Sequence, residues 1–368
     1  MKKVFSLLMA AVMGVTTLTA CSPKREKFST VFFNSFDTVI SVISYQESKE
    51  DFAEMADYIE QRYIELNNLF DIYNNYPGLN NIKTINDNAG IAPVEVSQEI
   101  IDLLTFSKEW HDKSGGKLNV AMGSVLRVWH DVRDAYDMRL ESSTPEEDIK
   151  NIKLPDIELL RDKAQHTDIN TVIIDDENNT VFITDENVRL DVGAVAKGFA
   201  TEIVCDELNE KYDNYAISAG GNVKTHGHPQ DGRKRWGIGI DNPAVDENFN
   251  RIGGNLDTAF FNTDMSLVCS GGYQRYMVID GKRYHHIIDP VTLYPEEVYQ
   301  GVSIICEDSG MADALSTSVF LMSPEDAMEF IEGIDGAECI LVEMDGTIHM
   351  TEGAKAYLAS NGVDSNTK

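Results

Sequence analysis

The chain has 368 residues, 42% hydrophobic and 25% charged, with 31 Lys and Arg against 61 Asp and Glu for a net charge of −30. This is ordinary globular composition, with enough apolar material for a real core, and a length that is long for one domain and short for three. A surface this acidic repels nucleic-acid phosphate and excludes that class first; an anionic ligand must be held by a metal, a lysine or a helix terminus.

Residues 1–20 read as a secretory signal rather than as fold: Lys2 and Lys3 precede an apolar run, Val4 to Val15, too short for a membrane span. Leu18-Thr-Ala-Cys21 resembles a bacterial lipobox, which implies cleavage before Cys21, lipidation of its thiol and an anchor on the extracytoplasmic face of the cell membrane. Residues 21–29 then form a tether, 30–358 the folded unit and 359–368 a loose tail. Cys205, Cys269, Cys306 and Cys339 lie in apolar runs without CxxC partners and read as buried free thiols.

In chain order, Thr30 to Tyr45 predicts strand, broken near Asn34–Thr38. Asp51 to Tyr73 predicts an amphipathic helix, with Phe52, Met55, Ile59, Tyr63, Leu66 and Phe70 at helical spacing. The Asn-rich stretch 74–90 reads as loop, and Ser97 caps a helix closed by Gly115-Gly116. Residues 144–164 read as charged and helical, with Pro145 and Pro155 each in a first turn. Thr171 to Thr184 predicts a hairpin, Phe199 to Leu208 a helix and Tyr215 to Ser218 a strand. Trp236–Ile240 and Ser266–Ser270 are further strands, and Tyr276–Ile279 turns through Asp280-Gly281 into a second hairpin. Val302–Cys306 is strand, Met311–Met322 helix, Ser323-Pro324 starts another helix, and Cys339–Met350 is a last hairpin. Strands and helices mix without a βαβ rhythm, so the expected class is α+β, with mixed or antiparallel sheets and flanking helices. A helical N-terminal half and a strand-rich C-terminal half would form two lobes of one unit.

Four constellations carry chemistry. Asp313 and Thr317, four residues apart, share a helix face and offer hard oxygens to Mg²⁺, with Ser316 beside them. Alone, such a pair reads more simply as a solvated face; the apolar neighbours Ala312, Ala314, Leu315, Val319 and Phe320 argue for burial, where an unpaired carboxylate is costly. Asp191-Val-Gly-Ala-Val-Ala-Lys-Gly198 is a glycine-punctuated turn into a helix. Its Lys197, a backbone carbonyl and N–H groups of a helix starting near Gly198 can serve a metal-bound phosphate. Geometry alone would also explain its glycines. His285-His286 before Asp289-Pro290 can place one imidazole as a general base, since adjacent strand residues face opposite ways. Ser218-Ala-Gly-Gly-Asn222 and Ser270-Gly-Gly-Tyr273 are small-residue turns able to bring backbone N–H groups to a ligand; Ser270 lacks the flanking pattern of a hydrolase nucleophile.

Five pieces in one order, Asp191 to Gly198, Ser218 to Asn222, Ser270-Gly-Gly-Tyr273, His286-Ile-Ile-Asp-Pro290 and Ala312-Asp-Ala-Leu-Ser-Thr317, resemble the ApbE family of FAD:protein FMN transferases, from about Phe32 to about Met350. The resemblance implies an enzyme that binds FAD with its pyrophosphate at Mg²⁺. A threonine hydroxyl of an exported or membrane-bound redox protein attacks the FMN-side phosphorus, and AMP leaves. It implies Asp313, Thr317, Ser316 and the Ala194 carbonyl as metal ligands and His286 as the catalytic base or positioner of the acceptor. It places Tyr73, Asn86, Lys117, Leu118, Asn119, Asp191, Lys197 and Ile287 against the cofactor, with Phe36 where the family carries methionine. The sequence departs from the family at Phe36-Asp37-Thr38, at Leu118-Asn119, where a carboxylate is lost, and at Pro290-Val-Thr-Leu293. FAD hydrolysis by water, and flavin binding without turnover, are the two alternatives that the sequence leaves open.

Overall fold

The computed structural model describes residues 25–140, 149 and 151–367. The signal, Cys21 and the helix start at Pro145 lie outside them. The chain opens with a hairpin, β1 (Glu26–Ser35) and β2 (Thr38–Gln46), so the predicted break is a two-residue turn and the strand begins inside the stretch expected as tether. Helix α1 (Lys49–Phe70) starts at Ser48, whose side chain accepts from Asp51 N–H, and all six residues of the predicted stripe are buried.

The Asn-rich stretch is not all loop. Asn81 makes a reciprocal capping box with Thr84 and starts α2 (Ile82–Asp87), a helix too short for periodicity to reveal. After β3 (Val94–Glu95), α3 (Gln98–Lys113) ends at left-handed Gly115 and Gly116, as expected. Helix α4 (Gly123–Leu140) was not anticipated, although buried Met122, Val125, Trp129 and Tyr136 do have helical spacing. Helix α5 (Ile157–Ala164) is capped by Asp156, so Pro155 precedes the cap instead of occupying the first turn.

The hairpin β4 (Val172–Asp175) and β5 (Thr180–Ile183) pairs with β3 in a small sheet. Helix α6 (Ala196–Asn209) leads to β6 (Tyr215–Ala219) and β7 (Asn222–His226), joined by left-handed Gly220 and Gly221. Strands β8 (Trp236–Asp241) and β9 (Asn255–Phe261) form a separate pair, followed by β10 (Met265–Gly271). The hairpin β11 (Tyr276–Ile279) and β12 (Lys282–His285) turns at left-handed Asp280 and Gly281. Strand β13 (Tyr299–Cys306), helices α7 (Ser309–Phe320) and α8 (Pro324–Glu332), and strands β14 (Glu338–Glu343) and β15 (Ile348–Met350) complete the elements.

The main sheet runs β1-β2-β6-β7-β10-β13-β14-β15, antiparallel throughout, and the fold is α+β as expected. The lobes do not divide by chain half. The N-terminal hairpin pairs with β6, and the large core joins α1, α2, α3, α6 and α7 to this sheet. A second core gathers Met122, Val125, Trp129 and Tyr136 of the α4 region, Leu160 of α5 and Met277 and Ile279 of β11. Burial of apolar surface, not sequence proximity, draws these distant segments together. The tail is not loose either: Ser365 O accepts from Lys234 N–H at 2.7 Å, and Asp257 Oδ1 accepts from Ser360 N–H at 3.3 Å. Cys205, Cys306 and Cys339 are buried, Cys269 is half-buried, and all four are free thiols. No helix among the described residues is long and apolar enough to cross a membrane.

Candidate active site

Helices α6 and α7 touch because Gly198 has no side chain. A Cβ there would lie 2.3 Å from Ser309 O and 2.4 Å from Asp313 Cβ. This glycine serves helix packing, not a ligand. The close approach has an electronic consequence. Gly198 N–H donates to Asp313 Oδ2 at 2.8 Å, so it does not bond the carbonyl four residues back, that of Ala194. No donor among the described residues reaches the Ala194 carbonyl or Asp313 Oδ1, and the half-buried Thr317 hydroxyl has no partner there. Asp313 itself is 3% exposed. Asp313 thus packs directly on the start of α6, and Thr317 lies one turn further along α7.

The N-terminus of α6 differs from expectation. The helix begins at Ala196, not near Gly198. Ala196 N–H goes to Val192 O and Gly198 N–H to Asp313, so the first turn keeps the Lys197 N–H and no general anion cradle. Lys197 Nζ stands 3.8 Å from Asp313 Oδ2 with its side chain partly exposed, beyond hydrogen-bond length and free to reach a ligand.

The unpaired set is one carboxylate oxygen, one hydroxyl and one carbonyl, all hard donors. It fits Mg²⁺ or a similar cation that keeps positions for water and phosphate oxygens. Among the described residues no group of three His, Cys, Asp or Glu side chains converges, so a zinc-type cluster has no basis. Ser316 is less suited than expected. Its buried hydroxyl already bonds Ser270 Oγ at 2.8 Å and Asp313 O at 2.9 Å.

A cleft lies in the second lobe, between α4 and the β11–β12 hairpin, with Trp129, His130, Arg133, Arg275, Tyr276 and His286 in its wall. The adjacent histidines split as strand geometry requires. His285 is buried: its Nε2–H donates to Glu296 O at 2.5 Å and its Nδ1 accepts from Ile287 N–H at 3.2 Å, which fixes a neutral ring. Burial pushes its pKa down to about 4. His286 is exposed to the cleft, and its Nδ1 meets Arg275 O at 3.2 Å. Its pKa also shifts down, first through enclosure by the protein, then through His285 and the cations Arg275 and Lys197, against the bond to the Arg275 carbonyl, which favours the protonated ring. The carbonyl at Nδ1 selects the Nδ1–H tautomer and leaves Nε2 as the basic nitrogen.

Asp191 is 8% exposed, with Oδ1 accepting from Gly193 N–H at 3.0 Å. Tyr73 is 50% exposed, and its hydroxyl lies 3.2 Å from His130 Nδ1. Phe36 occupies a left-handed turn position (φ 54), which a bulky residue holds only under constraint. Its N–H donates to Asn67 Oδ1 at 2.7 Å, and its half-buried ring packs on Tyr63 and Phe70.

The remaining cofactor candidates are differently engaged. Asn86 Nδ2 donates to Leu190 O at 2.9 Å and its Oδ1 accepts from Leu190 N–H at 2.7 Å. Its amide therefore clamps the backbone just before Asp191. Leu118 is 1% exposed in the main core, and Ile287 is buried there too, so neither side chain reaches the cleft. Asn119 bonds Thr167 O at 2.9 Å and Ala121 N–H at 2.9 Å. Lys117 Nζ donates to Asp289 Oδ2 at 2.9 Å. Burial would raise the Asp289 carboxyl, but Lys117 and the N–H groups of Thr292 and Val291 bring it below its usual value. Trp129, His130, Arg133, Arg275 and Tyr276 also line the cleft without a sequence signal, since no motif marks α4 and charged residues on a hairpin do not announce a cleft.

A sequence profile of the ApbE family matches residues 36–341. The chain belongs to the ApbE family. Curated members with similar sequences are named FAD:protein FMN transferase. The protein of Klebsiella pneumoniae is 30% identical over 271 residues, covering 71% of this chain and 74% of its own. That of Treponema pallidum is 28% identical over 286 residues, covering 74% and 73%. Among solved structures, the ApbE protein of Thermotoga maritima superposes with a TM-score of 0.74 at 26% identity, over 90% of this chain and 99% of its own. The flavin transferase ApbE of Vibrio cholerae shares the fold at 20% identity, with a TM-score of 0.72 over 91% and 100%.

Proposed function

We propose that this ApbE-family enzyme is an FAD:protein FMN transferase. It moves FMN from FAD to a threonine hydroxyl of an exported or membrane-bound redox protein, with Mg²⁺ and with release of AMP. The observation that carries the metal is the Ala194 carbonyl left without its helical donor beside Asp313, whose second oxygen is also free. Ala194, Asp313 and Thr317 would hold the cation, which supplies charge neutralisation on the pyrophosphate.

The chain's own residues do the rest. Lys197 reaches the phosphates as a mobile positive charge within an acidic protein. His286, neutral at physiological pH, takes the acceptor hydroxyl proton at Nε2 while Nδ1–H stays on Arg275 O. The threonine oxygen forms a bond to the FMN-side phosphorus, the bond from that phosphorus to the bridging oxygen breaks, and AMP carries the bridging oxygen away. His286 faces solvent, which suits an acceptor that is itself a folded protein. Lipidation at Cys21 would hold the enzyme at the membrane surface where such acceptors lie.

Mass spectrometry of an acceptor domain incubated with the enzyme, FAD and Mg²⁺ tests the reading. The expected product is FMN joined to threonine, with AMP in equal amount. FMN and AMP formed equally fast without acceptor would make the enzyme an FAD pyrophosphatase instead.

A further inference from the structure

We propose that His130 is a positioning residue of the transfer site, tying the Tyr73 side chain to Asp191 across the wall of the cleft. The inference rests on the FAD reading above and extends it to a residue on α4 that no sequence motif marks.

The backbone around Tyr73 is already fixed. Asp71 accepts from Tyr73 N–H at 2.6 Å, from Asn74 N–H at 3.1 Å and from the Tyr76 hydroxyl at 2.7 Å. The Tyr73 ring is not fixed by these bonds, because it projects half-exposed from the loop. His130 supplies the restraint. Its Nδ1 lies 3.2 Å from the Tyr73 hydroxyl, and the two rings sit 6.2 Å apart at 44°. Its other nitrogen, Nε2, faces Asp191 Oδ2 at 3.8 Å. In one tautomer Nδ1 accepts from the phenol and Nε2–H points at the carboxylate, where 3.8 Å makes the contact electrostatic and not a hydrogen bond.

The two ends of this bridge belong to different parts of the site. Tyr73 follows α1, whereas Asp191 opens the turn that carries Ala194 and Lys197, and its Oδ1 holds Gly193 N–H. Helix α4 is a firm base for the bridge, since neighbouring Trp129 is buried and donates its indole N–H to Leu293 O at 3.0 Å. A histidine that merely filled space would face apolar side chains. This one lines the cleft and bridges two polar groups, with Arg133 also close to the Tyr73 hydroxyl.

FAD titration followed by flavin fluorescence, together with kcat and KM for transfer, tests the bridge in wild type, His130→Ala, His130→Gln, Tyr73→Phe and the His130→Ala/Tyr73→Phe double variant. His130→Ala should bind FAD about tenfold more weakly, the scale of one lost hydrogen-bonded restraint, and raise KM while kcat stays within about twofold. His130→Gln, whose amide can both accept and donate, should recover most of the loss. The double variant should be no worse than the weaker single variant, because both changes cut one bridge. Unchanged binding in His130→Ala, equal losses in the Ala and Gln variants, or fully additive losses would overturn the assignment. A wild-type chain that does not bind FAD would instead overturn the flavin reading, and this inference with it.

Discussion

Two carboxylates join α6 to α7, the half-buried Glu202 and the buried Asp313, and they are built to opposite plans. Glu202 is saturated: both its oxygens lie 3.0 Å from Lys224 Nζ, and Oε2 also accepts from Ser309 N–H at 2.6 Å. Lys224 is completed by Glu307 O at 2.5 Å, and Glu202 holds its pKa above the ordinary lysine value against the opposite pull of burial. Asp313, one turn further along α7, has a single donor on one oxygen and a lysine that stops at 3.8 Å. A carboxylate with partners on both oxygens is a structural joint. Asp313 instead keeps an open oxygen beside the orphaned Ala194 carbonyl, the feature on which the proposed cation site rests. The same helix pair therefore contains a closed joint at one end and an open carboxylate oxygen at the other.

The comparison is sharpest under mutation. Asp313→Ala should lower FMN transfer about a thousandfold or more, the scale of losing a preorganised electrostatic contact, with little change in melting temperature. Chelation of divalent ions should reproduce that loss in the wild type and add nothing in the variant. Retained turnover in Asp313→Ala would erase the distinction. Glu202→Gln should do the reverse. It leaves Lys224 without its carboxylate and should cost about 3 kcal/mol in denaturant unfolding, while kcat per folded molecule holds.

The neighbouring histidines repeat the contrast with titration in place of mutation. The His285 pKa is depressed on folding, so its contribution to stability is complete above about pH 6.5 and fades as pH falls toward about 4. Between pH 7 and 5 the folded state should lose about 2 kcal/mol through this residue, a loss that His285→Gln should remove when urea midpoints are compared at the two values. His286 should appear instead in the rate, as an acidic limb of kcat/KM below the ordinary histidine range. The smallest effect is expected at Thr317. Thr317→Val keeps the shape and loses the hydroxyl, and should weaken the Mg²⁺ dependence of transfer about tenfold, with Thr317→Ser near wild type.

Local patterns in the sequence determined much of this protein. The α1 stripe, the Asp280-Gly281 hairpin, the Ser323-Pro324 helix start and the opposed histidines follow from periodicity, turn chemistry and caps, which act within a few residues. The order of five short motifs identified the family, and among the residues it named the fold packs Asp313 against Lys197 and Gly198 and sets His286 in the wall of the cleft. What failed was of two kinds. Helix α2 is too short to show a period, and α4, whose stripe is periodic, lies outside the elements expected from sequence.

Tertiary structure alone decided which polar groups are free. Asn86, Leu118 and Asn119 look available in one dimension, yet a buried amide must bond whatever backbone reaches it, and a leucine goes to the core. Gly198 looks like a phosphate-loop glycine, yet its role is to let α7 close on α6 and draw an N–H away from Ala194. His130 carries no motif and gains its position only when α4 folds against the Tyr73 loop. Hydrogen-bond satisfaction is a property of the whole packed interior, so the few unanswered atoms that mark the site emerge only after every other group has found its partner.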